Sequence, residues 1–202
     1  PYITGIFKSG SRTEPVNYRP ISLTSHVVKT MERVLRKAIV SHLDFHLKLA
    51  ANQHGSRAGR STLSQLLLHY DEILTALETG VNMDVIYLDF SKAYDKVDHG
   101  ILLHKLKNIG ISGKVGRWIA AFLIDRRQQV MVKGHASGAS CLRSGVPQGS
   151  VIGPLLFLIY IGDIDEEVEA KVLVYVDDSK VKDFIGNEED VLKLQNGKKR
   201  IT

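Results

Sequence analysis

The sequence predicts an α+β protein. Runs with apolar residues three and four apart alternate with short apolar runs of strand length, the two periodicities that separate helix from strand. Their order, helix, helix, strand, helix, helix, hairpin, helix, hairpin, lacks the strict strand–helix alternation of a doubly wound sheet. The chain has 202 residues, 44% hydrophobic and 24% charged, with a mean hydropathy of -0.05. That supplies one good-sized core or two small lobes, and it excludes the disordered and fibrous classes. A single cysteine, Cys141, rules out a disulfide framework and any multi-cysteine zinc site, so burial holds the fold and a reducing compartment is expected. The longest apolar run, 151–161, is too short to span a bilayer, and no secretory pattern opens the chain. The formal net charge of +5 and pI near 9.2 lean towards polyanionic partners.

From the first residue, Gly10, Pro15 and Pro20 punctuate a segment of loops around short extended pieces, with Lys8 and Arg19 in it. A helix follows from His26, because Val27, Val28, Met31, Val34, Leu35, Ala38, Ile39 and Leu43 recur on one face. Gly55, Arg57, Gly59 and Arg60 make a basic loop. Thr62 with Gln65 has the form of a capping box for a second helix, which carries Leu63, Leu66, Leu67, Tyr70, Ile73, Leu74 and Leu77 and stops at Gly80. The period then changes: residues 83–90 read as a buried strand with Asp89 near its end. Asp98 caps a helix closed by Gly110, and Ser112 caps another through Val115, Trp118, Ile119, Phe122 and Leu123. Residues 129–143 form a hairpin turning near Gly134. A loop at 145–149 feeds an apolar helix over 151–161. Residues 171–176 form a strand, Asp177 and Asp178 its turn, and 179–184 the returning strand.

Asp89 and the Asp177–Asp178 pair are far apart in sequence, yet both lie where neighbouring strands of one sheet end. Three carboxylates so placed can hold two Mg2+ ions, hard cations that prefer oxygen ligands and stay partly hydrated for phosphates. With such ions roughly 3.5–4 Å apart, one activates an attacking hydroxyl and the other stabilises a leaving oxygen, which is phosphoryl or nucleotidyl transfer. Asp-Asp is also a favoured hairpin turn, and by itself more often structural. Asp89 is harder to explain away, because an acid after Val85, Ile86, Tyr87 and Leu88 is expensive to bury unpaired. Asp84, Asp95 and Asp98 read as a strand-entry charge, a solvated turn and a helix cap.

Five ordered motifs then point to a family. NYRPISL at 17–23, QHG at 53–55 with Arg57 and GRST at 59–62, YLDFSKAYDKVDH at 87–99, SGVPQGS at 144–150 with GPLLF at 153–157, and YVDD at 175–178 resemble the reverse transcriptases of non-LTR (LINE-type, jockey-like) retrotransposons. The resemblance spans nearly the whole chain and is far more specific than any one short pattern. It implies a right-hand polymerase: fingers over 1–82, with contributions to the palm from their helices, and a palm over 83–202 whose antiparallel sheet packs on helices. It implies that Asp89, Asp177 and Asp178 are the catalytic metal ligands, with Mg2+ or Mn2+ as the ion. It gives Lys8 and Arg19 the incoming triphosphate, a fitting use of cations against a polyanion. Tyr94 matches the aromatic gate that rejects a ribose 2′-hydroxyl, and Gln148 lines the nascent base pair. Gly149, with Gly145, lets backbone approach the nucleotide. Arg57 and Arg60 would hold template phosphates without reading sequence. Without the resemblance these are loop charges, a core aromatic and a connecting loop.

The implied partners are an RNA template, a DNA primer and deoxynucleoside triphosphates, with no membrane, and the implied location is intracellular, in cytoplasm and nucleus. Neither end reads as a finished terminus. The resemblance implies that the last palm motif and the thumb lie beyond Thr202 and the endonuclease region of the same polyprotein before Pro1. Ser56, Ala58, Val176 and Gly162 depart from the family's usual residues, and none of the four is a metal ligand. Two other functions stand beside polymerisation: a catalytically dead, nucleic-acid-binding remnant or truncated gene fragment, and a two-metal nuclease, which the Tyr94 and Gln148 matches disfavour.

Overall fold

The computed structural model describes residues 1–46, 61–90, 92–166, 168–175 and 178–201, with positions 62, 65, 174, 175 and 178 as backbone. In chain order the elements are β1 (Tyr2–Phe7), β2 (Tyr18–Leu23), α1 (His26–Phe45), α2 (Thr62–Thr79), β3 (Asn82–Asp89), α3 (His99–Asn108), α4 (Gly113–Leu123), β4 (Arg127–Val132), β5 (His135–Ala136), β6 (Ser140–Cys141), α5 (Gly153–Tyr160), β7 (Lys171–Tyr175), β8 (Asp178–Ile185) and α6 (Glu188–Ile201). They pack as two units, each made of two stretches of chain: one holds 1–48 and 92–160, the other 49–91 and 161–202. The mixed α+β class is as the sequence predicts.

The first unit is a β-sheet with helices. β1 pairs antiparallel with β2 and parallel with β4, and β4 pairs with β5 and β6. Lys133 and Gly134 both have positive φ, 48° and 82°, as the tight turn between β4 and β5 requires. α3 packs on α4 and α5. Its inner face buries Leu102 and Leu106, and the neighbouring helices bury Ile119, Leu123, Leu155, Leu156 and Phe157; full burial of each such side chain stabilises by about 1.5–3 kcal/mol. Asp98 caps α3 through the Ile101 amide at 2.8 Å, and Gly110 turns left-handed after it with φ 89°. Lys105 donates to the Tyr160 carbonyl at 2.5 Å, a cation at the carbonyl end of α5 where the helix dipole favours one. Ser112 stands at the N-cap of α4, but its hydroxyl makes no capping bond.

The second unit is a three-stranded antiparallel sheet in the order β3–β8–β7. One face carries Ile86, Leu88, Val172 and Val181 against Leu194 and Ile201 of α6. The opposite face meets α2 through polar contacts: Glu72 pairs with Lys171 and with the buried Lys182, and His69 Nε2 lies 3.3 Å from the Tyr87 hydroxyl. Gly80 closes α2 in the left-handed region as expected. Its capping box sits one residue earlier than the sequence suggests, formed reciprocally by Ser61 and Ser64 at 3.1 and 2.9 Å, because the helix takes Thr62 into its first turn and moves the cap back to Ser61. α6 has no counterpart in the sequence reading. It begins with a similar reciprocal box: Asn187 Oδ1 accepts from the Asp190 amide at 3.2 Å, and Asp190 Oδ2 accepts from the Asn187 amide at 3.2 Å.

Candidate active site

β3 and β8 run antiparallel in a register that sets Asp89 opposite position 178, and position 178 is in turn opposite Tyr175 of β7. Opposite positions of an antiparallel pair share a face, with Cβ atoms about 4.5–5.5 Å apart. The second strand of the hairpin thus takes position 178 itself, one residue before the expected start, because the ladder reaches as far as Asp89. Asp89 is exposed, so its juxtaposition with 178 comes from register and not from a need to pair a buried charge. Asp177, Arg57 and Arg60 lie outside the described residues. Among the described residues no three acidic, histidine or cysteine side chains gather in one cluster.

Lys8, Arg19, Tyr94, Gln148 and Gly149 all belong to the first unit. Arg19 stands opposite Ile6 in the β1–β2 ribbon, and the Lys8 amide extends that ladder by donating to the Asn17 carbonyl at 2.9 Å. Two residues along an antiparallel ladder return to the same face, so both cations sit on one side of the ribbon, and both are exposed. Tyr94 lies in a single 3-10 turn, residues Ala93–Asp95, half-buried and stacked on Phe157 with centroids 4.6 Å apart and planes at 19°.

The loop at 144–150 is seated on that turn. Val146 donates to the Tyr94 carbonyl and Gly145 to the Val97 carbonyl, both at 2.8 Å. A Cβ at Gly145 would come within 2.9 Å of the Asp95 backbone, and φ is +86°, so only glycine fits. The Gly145 carbonyl accepts from His99 Nε2 at 2.9 Å and Arg126 at 3.2 Å. Burial pushes the Arg126 guanidinium below its ordinary value while Asp95 pulls it back up. Gln148 reaches both ways: its side-chain amide donates to Asp95 Oδ1 at 3.3 Å, and its carbonyl accepts from the Ser22 amide at 2.7 Å. Gly149 has φ +95°, and a Cβ there would meet Ile21 and the Ser22 carbonyl at 2.9 Å. The loop therefore carries Gln148 and Gly149 against β2, three residues beyond Arg19.

Several of these residues have no part in the sequence reading beyond solvation or capping. Asp95 is a ligand for Gln148 as well as a turn acid. Glu32 is fully buried on α1 and accepts from the Val151 and Ile152 amides at 2.5 and 3.0 Å. Its signal was present in the sequence: Val28, Glu32, Leu35, Ile39 and Leu43 form one helical stripe, with an acid in the middle of an apolar face. Charge also divides unevenly between the units. The first carries 18 Lys and Arg against 6 Asp and Glu, a net +12, and the second 9 against 16, a net −7.

Comparison with known proteins agrees with the family resemblance of these motifs. The probable RNA-directed DNA polymerase from transposon X-element of Drosophila melanogaster is 35% identical over 165 residues, covering 81% of this chain and 18% of the relative. The RNA-directed DNA polymerase from mobile element jockey of the same species is 31% identical over 186 residues, 87% of this chain and 20% of the relative. The chain thus spans about a fifth of the length of the curated relatives it matches. In fold it is similar to telomerase from Candida albicans in complex with a fragment of telomeric RNA, at TM-score 0.62 and 13% identity over 97% of this chain and 38% of that one. It is similar also to apo telomerase from Candida tropicalis lacking its C-terminal domain, at TM-score 0.60 and 15% identity over 90% of this chain and 44% of that one. The family model for reverse transcriptase (RNA-dependent DNA polymerase) matches residues 6–193, and the chain belongs to that family.

Proposed function

We propose that this chain is the fingers-and-palm core of an RNA-directed DNA polymerase of a non-LTR retrotransposon, with fingers over 1–82 and palm over 83–202. The observation that carries the proposal is the β3–β8 register, which sets Asp89 opposite position 178 at the mouth of the β7–β8 hairpin. The donor set fits a hard divalent cation: Asp89, Asp177 and Asp178 offer only carboxylate oxygens, and Asp89 is open to solvent. Mg2+ held there, as two ions or with Mn2+ in its place, supplies activation of the attacking hydroxyl and charge stabilisation at the leaving oxygen.

The chain's own residues bind and orient. Lys8 and Arg19, exposed on one side of the β1–β2 ribbon, bind the triphosphate of the incoming deoxynucleotide, and arginine can take two phosphate oxygens at once. Tyr94, braced on Phe157, closes the space a 2′-hydroxyl would occupy. Gln148, held by Asp95 and Ser22, lines the nascent base pair, and Gly149 admits it closely. Arg57 and Arg60 hold the template phosphates. The primer 3′-hydroxyl then attacks the α-phosphate, forming one phosphodiester bond and releasing pyrophosphate. Catalysis in such a transfer comes from positioning and from charge stabilisation of the transferring group. The relatives above 30% identity that are RNA-directed DNA polymerases support a template of RNA.

The test is primer extension on an RNA template by the full protein. Asp89→Asn and Asp178→Asn should each lower the rate by at least about a hundredfold. Extension at the wild-type rate in either variant would sink the assignment. Salt-dependent RNA retention with no nucleotide added by the wild type would instead favour a binding remnant.

A further inference from the structure

Resting on the polymerase reading, we infer that Glu32 is a positioning residue for the incoming nucleotide, acting through Gln148 without touching the substrate itself. Glu32 is fully buried on α1, and one of its oxygens, Oε2, accepts from two consecutive backbone amides, Val151 at 2.5 Å and Ile152 at 3.0 Å. Charge-assisted bonds of this kind are the strong class. Oε1 is also buried, with no hydrogen-bond partner among the described residues. A carboxylate kept in such a place serves the two amides it holds, since burying it otherwise only costs free energy.

Those amides end the loop that presents Gln148. From Pro147 to Gly153 the segment is internally braced: Ser150 Oγ donates to the Pro147 carbonyl at 2.8 Å and accepts from the Gly153 amide at 3.0 Å. A push at 151–152 is therefore passed to 148. The other attachments of Gln148 are at Ser22 and Asp95, so Glu32 pins the far end of a segment whose near end lies on β2. α1 follows β2 directly, its first turn capped by Ser25 accepting from Val28. The span from Arg19 to Glu32 thus carries a residue for the triphosphate at one end and the anchor of the base-pair loop at the other. Without Glu32, the Val151 and Ile152 amides lose their partner and Gln148 is held from one end only.

The experiment compares Glu32→Ala, Glu32→Gln, Gln148→Ala and the Glu32→Ala/Gln148→Ala double variant of the full protein, by single-nucleotide incorporation and by hydrogen exchange at 145–152. Glu32→Ala should raise KM for the deoxynucleotide about tenfold while kcat stays within about threefold, the signature of weakened substrate positioning. Exchange at Val151 and Ile152 should quicken. Glu32→Gln keeps an acceptor oxygen of the same reach, carries the test if the alanine variant fails to fold, and should raise KM about threefold. In the Gln148→Ala background the Glu32→Ala change should add almost nothing, because both act through one contact. Unchanged KM, unchanged exchange, or full additivity with Gln148→Ala overturns the positioning role alone. A wild type that extends no primer overturns the polymerase reading and takes this role with it.

Discussion

Tyr94 shows how one half-buried side chain links the core to the candidate site. Its ring stacks on Phe157, a fully packed residue of α5, while its backbone carbonyl receives Val146. Read without the family it is a core aromatic; the ring is half-buried, and its stack on Phe157 fixes it. Tyr94→Ala should raise ribonucleotide incorporation relative to deoxynucleotide by about tenfold or more, since selection by steric exclusion is lost with the bulk. Competition between the two triphosphates measures this, and an unchanged ratio would remove Tyr94 from substrate choice. Gly145 and Gly134 offer a sharper contrast. Both have positive φ, but a Cβ at Gly145 meets the Asp95 backbone at 2.9 Å whereas one at Gly134 meets nothing within 4 Å. Gly134→Ala should cost about 1 kcal/mol from backbone strain alone, and Gly145→Ala about 3 kcal/mol or more, because strain and overpacking add. Equal losses in denaturant unfolding would mean that the loop at 144–150 moves freely off its seat.

At the scale of elements, α2 is held to the β3–β8–β7 sheet by ionisable groups, and this makes the second unit acid-sensitive. Burial pushes His69 below its ordinary value, and Lys180 and Lys182 push it further, with Glu72 opposing. Burial alone would raise the Glu72 carboxyl, but its bonds from Lys171 and Lys182 outweigh that and hold it below its ordinary value. Both signs agree. A histidine with a lowered folded value takes up its proton more readily when unfolded, so stability falls as pH drops through the ordinary value of 6.5. The Glu72 contribution is complete above its ordinary 4.5 and is lost as pH falls through the lower folded value. Unfolding of the second unit should therefore become easier from pH 7 to 5.5 and again below 4.5, and His69→Phe should flatten the first step only. Glu72→Gln should destabilise by about 3–5 kcal/mol by leaving the Lys182 ammonium buried and unpaired, while Lys182→Met should be nearly neutral. If the two variants unfold alike, the pair is not what holds α2. α3 is legible in the sequence because the Asp98 cap and the apolar period agree, whereas α1, α2 and α4 are legible from period alone, the α2 cap lying at Ser61 and the Ser112 hydroxyl making no capping bond. α6 was not, since Asn187 and Asp190 form their box in an acidic run that reads as solvated and only Val191, Leu194 and Ile201 mark its apolar side.

Over the whole molecule, the candidate site residues visible in the sequence were those that one short motif carries: Asp89, the YVDD segment, Tyr94, Gln148. The residues that hold them were not, because Glu32 meets Val151 and Ile152, and His99 and Arg126 meet Gly145, only after distant segments pack; no local period records such a contact. Charge gives a third kind of information, invisible in the total. The net +5 is the remainder of +12 on the first unit and −7 on the second, so the cationic excess lies with the unit that bears Lys8 and Arg19. Affinity for an RNA template should then depend on salt through cations of the first unit together with Arg57 and Arg60. If five phosphates are neutralised, the log–log slope is about −3.5 and binding weakens about a hundredfold between 50 and 200 mM salt. Arg33 and Lys37, exposed one turn apart on α1, test where that slope originates: Arg33→Glu with Lys37→Glu should make it shallower by about 1 to 1.5 if template crosses this helix. Binding measured by fluorescence anisotropy across that range would report it, and an unaltered slope would move the template path off α1 to other cations, Arg57 and Arg60 among them.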